Sequence, residues 1–198
     1  MKKIFMAVLC LFLISACAQE EKKPEKNMAD EYTELAKENV FVYAPQEDIL
    51  AMLEHGTGIV FLGFPECPFC QAYAPMLNDA VKDTGLKVLY YNIFDDRLTH
   101  TEFYQKVVSL LDGQLDFDSS GKPRIYVPDV TFVIGGEIVG HDNESSLLDS
   151  SEVKPEEYWT AEKKEALHKK LQELAEKTAE AKALKDKEGC DTGCKVGG

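Results

Sequence analysis

Residues 64–75 read FPECPFCQAYAP, in which Cys67 and Cys70 are separated by two residues and Pro75 follows five residues beyond the second thiol. A cysteine pair at this spacing serves as a redox centre, as half of a metal site or as a structural staple. The residues before it, GIVFLGF at 58–64, form an apolar run of buried-strand length. Those after it are expected to form a helix over about 68–82. A second apolar run, LKVLYYNIF at 86–94, then reads as another strand. A strand, a crossover helix and a strand of these lengths make a βαβ unit, which places the two strands in parallel.

Further out, order is expected to begin at the β-branched and aromatic run 40–43. Pro45 then opens a helix carrying Ile49, Leu50 and Leu53 that stops at Gly56. A third helix is predicted over 99–111, with Phe103, Val107, Leu110 and Leu111 on one face. Strands at 129–134 and 137–140 flank Gly135-Gly136, a two-residue turn in which both positions can take positive φ. The last segment, 155–187, reads as one long charged helix. Its apolar stripe of Leu167, Leu171, Leu174 and Thr178 is narrow, so its first half is expected on the domain and the rest as a free or partner-binding helix.

The chain opens with two lysines and an apolar run from Ile4 to Ile14, flanks typical of an export signal and too short for a stop-transfer helix. Ile14-Ser15-Ala16-Cys17 resembles the lipobox of bacterial lipoproteins, which makes Cys17 the expected lipidated N-terminus. Two acyl chains on one residue give the double anchor that stable membrane attachment requires. From Cys17 onward the chain carries 20 basic and 35 acidic side chains, a net charge of −15. That balance argues against nucleic acid and against adhesion to an anionic membrane surface. Export permits disulfides, and Cys67-Cys70 and Cys190-Cys194 remain as two close pairs. The expected division is a signal at 1–16, a charged tether at 17–38, one domain at 39–170, a helical extension at 171–188 and a flexible Cys/Gly tail at 189–198.

The chemistry of the 67–70 motif follows from its place at a helix start. Cysteines at i and i+3 bring their sulfurs within bonding reach without backbone movement. Cys67 at the cap faces unpaired N–H groups and the positive end of the helix dipole, which favour a thiolate. Pro68 suits the first turn because it has no N–H to leave unsatisfied. Cys67 is therefore the expected nucleophile and Cys70 the resolving thiol. Glu66 opposes this by placing negative charge beside the thiolate, and Phe69 supplies no cation.

The order of elements, with CPFC after the second strand, Pro75 five residues on and Val127-Pro128 just before the hairpin strand, resembles the thioredoxin superfamily over about residues 39–170. Gly140 is similar to the family's glycine on the last strand. The resemblance implies a thioredoxin-like α/β fold, a mixed β-sheet flanked by helices, here with a long C-terminal helix. It also implies a cis bond at Pro128 beside Cys67, with the Val127 backbone offering its N–H and C=O to an extended substrate peptide. One departure is Phe61, which stands where many thioredoxins keep a buried acid that helps deprotonate the resolving cysteine. Another is the long approach to Pro128 through residues 112–124, read either as a surface loop or as a substrate-shaping rim.

Other chemistries compete less well. A four-thiolate zinc site from Cys67, Cys70, Cys190 and Cys194 would need Cys70 in a knuckle rather than in an apolar-faced helix. A cysteine peptidase needs a histidine partner; His55, His100, His141 and His168 are scattered and read as solvated or loop residues. Tyr158 and Trp159 are expected to pack the final helix onto the sheet. The function expected is an extracytoplasmic, lipid-anchored thiol–disulfide oxidoreductase without cofactor, whose partners are exported or envelope proteins bearing thiols or disulfides. The alternative is a non-catalytic thioredoxin-like binding or accessory module, similar to the bacteriocin-transport accessory group. Cys190 and Cys194 form either an inert tail pair or a tethered second dithiol.

Overall fold

The computed structural model describes residues 26–193, with side chains through residue 187. The proposed signal, Cys17 and Cys194 lie outside the described residues. The elements are β1 (Phe41–Tyr43), α1 (Gln46–His55), β2 (Thr57–Gly63), α2 (Pro68–Val81), β3 (Val88–Asn92), α3 (Phe94–Thr99) and α4 (Glu102–Leu110). They continue with β4 (Asp116–Phe117), β5 (Pro123–Arg124), β6 (Asp129–Ile134), β7 (Glu137–Asp142), α5 (Pro155–Tyr158) and α6 (Ala161–Gly193).

Five strands form one mixed sheet in the order β1-β3-β2-β6-β7. β3 runs parallel to both β1 and β2, as the βαβ spacing requires, and β6 returns antiparallel to β2. β2 is the hub: Ile59 pairs with Val88 on one side and with Phe132 on the other. Gly58 through Gly63 are all buried, which is why this stretch is apolar without alternation. α2 and α6 cover one face, and α1 and α4 cover the other. The protein is thus an α/β structure with a mixed five-stranded sheet flanked by helices and a long C-terminal helix.

The β6–β7 turn has Gly135 at φ 63° and Gly136 at φ 84°, as the hairpin requires. The Gly136 N–H donates to the Gly56 carbonyl at 3.0 Å, and a Cβ at Gly136 would stand 2.1 Å from the Glu54 carbonyl oxygen. At Gly140 a Cβ would meet the Leu174 side chain at 2.5 Å, so the bare backbone there lets α6 lie on β7.

Several elements differ from expectation. Residues 26–38 do not behave as tether: Met28, Tyr32 and Leu35 are buried. Their spacing of four and three puts three apolar side chains on one side of a segment whose average composition is polar. The helix predicted over 99–111 is found as α4, which starts at Glu102 because His100 takes a left-handed conformation (φ 50°) just before it. α3, over Phe94–Thr99, is an additional helix that the sequence reading did not expect. Thr101 then caps α4 by accepting the Tyr104 N–H at 3.2 Å. Residues 112–124 contain a small antiparallel ribbon, β4 with β5. The long helix over 155–187 is interrupted at Trp159-Thr160. Trp159 is buried against Tyr73 of α2, with ring centroids 6.2 Å apart, so it anchors α6 to a helix rather than to the sheet.

α6 also packs beyond residue 170, where Leu171, Ala175 and Thr178 are fully buried, and its backbone stays helical through Gly193. The expected extension is therefore largely part of the domain. Residues 189–193 of the expected flexible tail are helical.

Gly136→Ala is expected to lower the unfolding free energy by more than about 1 kcal/mol, because it combines a left-handed φ with a backbone clash. A shifted denaturant midpoint with unchanged slope would register this. An unchanged midpoint would show that the turn relaxes freely.

Candidate active site

The strand–turn–helix passage from β2 to α2 builds the site. After Gly63 the chain turns through Pro65 and Glu66, and Cys67 becomes the N-cap of α2 with Pro68 in the first helical turn. The Cys67 N–H donates to the Phe64 carbonyl at 3.2 Å, and the Gln71 N–H donates to the Cys67 carbonyl at 3.0 Å. The cap bond itself is unusual in using sulfur: Cys67 Sγ accepts the Cys70 N–H at 3.3 Å. Pro75 lies inside α2, where it offers no N–H to the Gln71 carbonyl.

The two thiols, both free, stand in different surroundings. Cys67 is half-buried and Cys70 has no exposure. The Cys67 thiol is lowered to about 7, chiefly by the hydrogen bond from the Cys70 side chain and against the opposing effect of burial. The N–H groups of Cys70 and Phe69 and the charge of Arg97 add to the lowering. Glu66 is exposed, and the net shift is downward despite it. Cys70 is pushed well up, first by burial and then by its neighbour's sulfur. The pair is therefore asymmetric, with an accessible thiolate in front of a buried thiol.

Sixty residues later the chain returns to this point. The Val127–Pro128 peptide is cis, and the Val127 carbonyl oxygen lies 3.8 Å from Cys67 Sγ. The expected site residues Cys67, Pro68, Phe69, Cys70, Val127 and Pro128 are thus brought together. Phe69 is buried, edge-on to Tyr158 at 6.0 Å. Phe61, at the position where an acid was sought, is fully buried and stacks on Tyr73 at 6.2 Å. No side-chain acid stands at that position. Cys190 lies on the α6 backbone, and its side chain and the whole of Cys194 fall outside the described residues.

Three features escaped the sequence reading. Gln71 ties the N-terminal segment to the dithiol helix: its amide donates to the Glu31 and Pro65 carbonyls, both at 2.8 Å, and accepts the Thr33 N–H at 3.1 Å. Arg97, from α3, stacks 5.0 Å over the Phe64 ring and supplies the cation that Phe69 does not. His141 is no solvated histidine, since its Nε2 is 3.0 Å from Asp129, a buried carboxyl directly after Pro128. Burial pushes the Asp129 carboxyl up, with His141 pulling the other way. Burial would lower His141, but the Asp129 hydrogen bond and the charges of Asp129 and Asp142 together outweigh it, and the net shift is upward. A carboxyl beside a histidine twelve positions away leaves no local sequence signal; the β6–β7 ladder brings them together.

One groove adjoins the start of the dithiol helix, and a second lies by the strand that leads to Val127. The first, of about 490 Å³, is lined by Glu34, Glu66, Pro68, Gln71, Glu156 and Trp159. The second, of about 290 Å³, lies between α4 and the β4–β5 ribbon and includes Tyr104, Val108, Lys122 and Arg124. A larger cavity of about 590 Å³ sits between Asp79 and Glu180, away from the thiols, and its lining includes no cysteine.

Because the Cys67 value is depressed, its thiolate is present above about pH 7 and lost below it. Alkylation of Cys67 by iodoacetamide should therefore rise with a midpoint near 7, while Cys70 stays unmodified. Cys70→Ala removes the main stabilising donor and should move the midpoint up towards 9.0, the ordinary value. A midpoint unmoved by Cys70→Ala would show that the helix cap alone sets the value.

Compared with known proteins, the chain matches no family model, no curated protein and no solved structure.

Proposed function

We propose that this chain is a thioredoxin-like thiol–disulfide oxidoreductase of the cell envelope, held to a membrane by lipid on Cys17. The observation that carries the reading is the half-buried Cys67 thiol, lowered to about 7, at the cap of α2 and facing the Val127 carbonyl, with Cys70 buried behind it. The sheet order β1-β3-β2-β6-β7 supports the superfamily assignment, with the dithiol after β2 and a cis-proline before β6.

In the reducing direction, the Cys67 thiolate attacks one sulfur of a substrate disulfide. The S–S bond breaks, a Cys67–substrate mixed disulfide forms, and the departing sulfur leaves as a thiolate that takes a proton from water. Cys70, deprotonated, then attacks Cys67 Sγ. The mixed bond breaks, the second substrate thiol is released, and Cys67–Cys70 forms. Two electrons pass from the dithiol to the substrate, and the reverse sequence oxidises a dithiol client. Burial of Cys70 delays its ionisation until the first bond has formed and the Cys67 charge is gone.

A second reading, a non-catalytic accessory module, is favoured by Phe61, because no acid at that position assists Cys70. Steady reduction of a small-molecule disulfide by the full chain with a recycling reductant supports the enzyme; absence of turnover favours the module.

Cys70→Ser is expected to accumulate mixed disulfides with envelope proteins, whereas Cys67→Ser is not. Equal adducts from both variants on non-reducing gels would sink the role assignment. The anchor rests on the Ile14–Cys17 motif; among the described residues no helix is long and apolar enough to cross a membrane. Cys17→Ser should move the protein from the membrane to the soluble fraction, and unchanged fractionation would count against lipid at that residue.

A further inference from the structure

The chain has 22 basic residues other than histidine, and only two of them are arginines, Arg97 and Arg124. They lie 27 positions apart in sequence, one on α3 and one on β5. Both stack on aromatic rings next to the backbone atoms that hold Cys67. Arg97 sits 5.0 Å over Phe64, whose carbonyl accepts the Cys67 N–H at 3.2 Å. Arg124 sits 5.5 Å from the ring centre of Tyr126, the residue before Val127, whose carbonyl faces Cys67 Sγ at 3.8 Å. Tyr104 links the two sides: its hydroxyl accepts the Ile125 N–H at 3.3 Å, and it lines the same groove as Arg124.

Neither guanidinium has a carboxylate partner among the described residues, although the chain carries 35 acidic side chains. The ion pairs formed within the described structure use lysine or histidine instead. The Nε of each arginine is buried without a protein acceptor. Burial, and after it the charge of Arg124, hold Arg97 below its ordinary value, so the two cations feel one another. Two like charges held together, half-buried and unpaired in an acidic protein, oppose folding. Their planar donor forks match a carboxylate, and the aromatic rings beneath them fix their orientation.

We propose that Arg97 and Arg124 form an anion clamp beside Cys67, which binds a carboxylate that the substrate disulfide carries close to its reacting sulfur. The inference rests on the exchange reading and names its substrate class. It selects acidic disulfides in spite of the net −15 charge expected of the mature chain, which would otherwise repel them. Two sources supply this chemistry: an acidic residue flanking a client cysteine, and the carboxyl group of a small organic disulfide.

The test compares substrates that differ only in charge. The full chain is given 3,3′-dithiodipropionate or its neutral diamide. In a second arm it is given a disulfide-linked peptide with Asp beside the cysteine, or the same peptide with Asn. We expect kcat/KM to favour the acidic member by about tenfold at low salt, less at high salt. In Arg97→Gln/Arg124→Gln the preference should vanish, and Arg97→Lys/Arg124→Lys should keep part of it. The ratio of two substrates on one variant is insensitive to a changed thiol pKa or to a partly unfolded fraction. Preference with the small disulfide assigns recognition to the carboxylate alone, and preference confined to the peptides assigns it to a protein client.

Reduction of all four substrates without preference in the wild type overturns the clamp and leaves the exchange reading standing. So does a preference that survives in the double glutamine variant. If none is reduced, the exchange reading fails and the clamp is judged by binding alone. Suberate, which replaces the disulfide of dithiodipropionate by two methylenes, should then bind the wild type in calorimetry and not the double variant. No suberate binding overturns the clamp as well.

Discussion

The antiparallel pairing of β2 with β6 is the constraint on which the site depends. Its register runs from Thr57↔Ile134 to Leu62↔Asp129, and it delivers residue 127 to residue 67 across sixty positions of chain. A slip of one residue would turn every side chain on β6 to the opposite face. Val130 would then leave the side that Phe61 occupies, and Asp129 would leave His141. The burial of both faces of β2 penalises that slip, so the apolar run 58–64 fixes the site as well as the core. The Gly135-Gly136 turn adds a local clamp, since its backbone lies too close to the end of α1 for any side chain at Gly136.

What was legible in the sequence is what depends on local pattern. The runs GIVFLGF and LKVLYYNIF gave most of β2 and all of β3, and the Gly-Gly pair gave the β6–β7 turn. The position of Cys67 at a helix start pointed to a lowered thiol against the opposing charge of Glu66, but the hydrogen bond from Cys70, which contributes most, had no local signal. Where averages hid a pattern, the reading missed. Residues 28–35 are polar on average, yet Met28, Tyr32 and Leu35 form one buried side. The Trp159 break splits a helix that looks continuous by periodicity, and the left-handed His100 delays the start of α4 and separates it from α3, which periodicity did not reveal. His141 and Arg97 were out of reach for a different reason. Their roles depend on neighbours that only the sheet ladder and the α3 turn bring near. One signal was countable all the same, because a chain with so many lysines that uses arginine twice marks those two positions.

Charge around the dithiol is distributed unevenly, and this bears on both proposals. On the α2 side the groove carries Glu34, Glu66 and Glu156 against the one cation Lys164; on the β5 side stand Lys122 and Arg124 against the one carboxylate Asp118, with Arg97 over Phe64. A substrate laid along the Val127 backbone would meet cations on one side of its reacting sulfur and carboxylates on the other. Such a field orients a dipolar partner as well as attracting it, and complementarity of this kind gives specificity more readily than affinity.

The asymmetry of the two thiols also bears on the direction of electron flow. Lowering a thiol value stabilises the reduced form, because only the dithiol can ionise, and so makes the disulfide a stronger oxidant. With Cys67 at about 7, ionisation favours the reduced form by only about twofold at pH 7. At pH 8 the gain is nearer tenfold by the same relation. Burial holds the Cys70 value up, so Cys70 contributes no second ionisation in that range. A site built as a strong oxidant would need a much deeper depression of Cys67, and the Phe69 position offers no charge to produce it. In the exchange reading, ionisation of Cys67 therefore adds only a small bias towards the reduced form at pH 7, and the direction of electron flow rests on the remaining contributions to the couple and on the partner's potential.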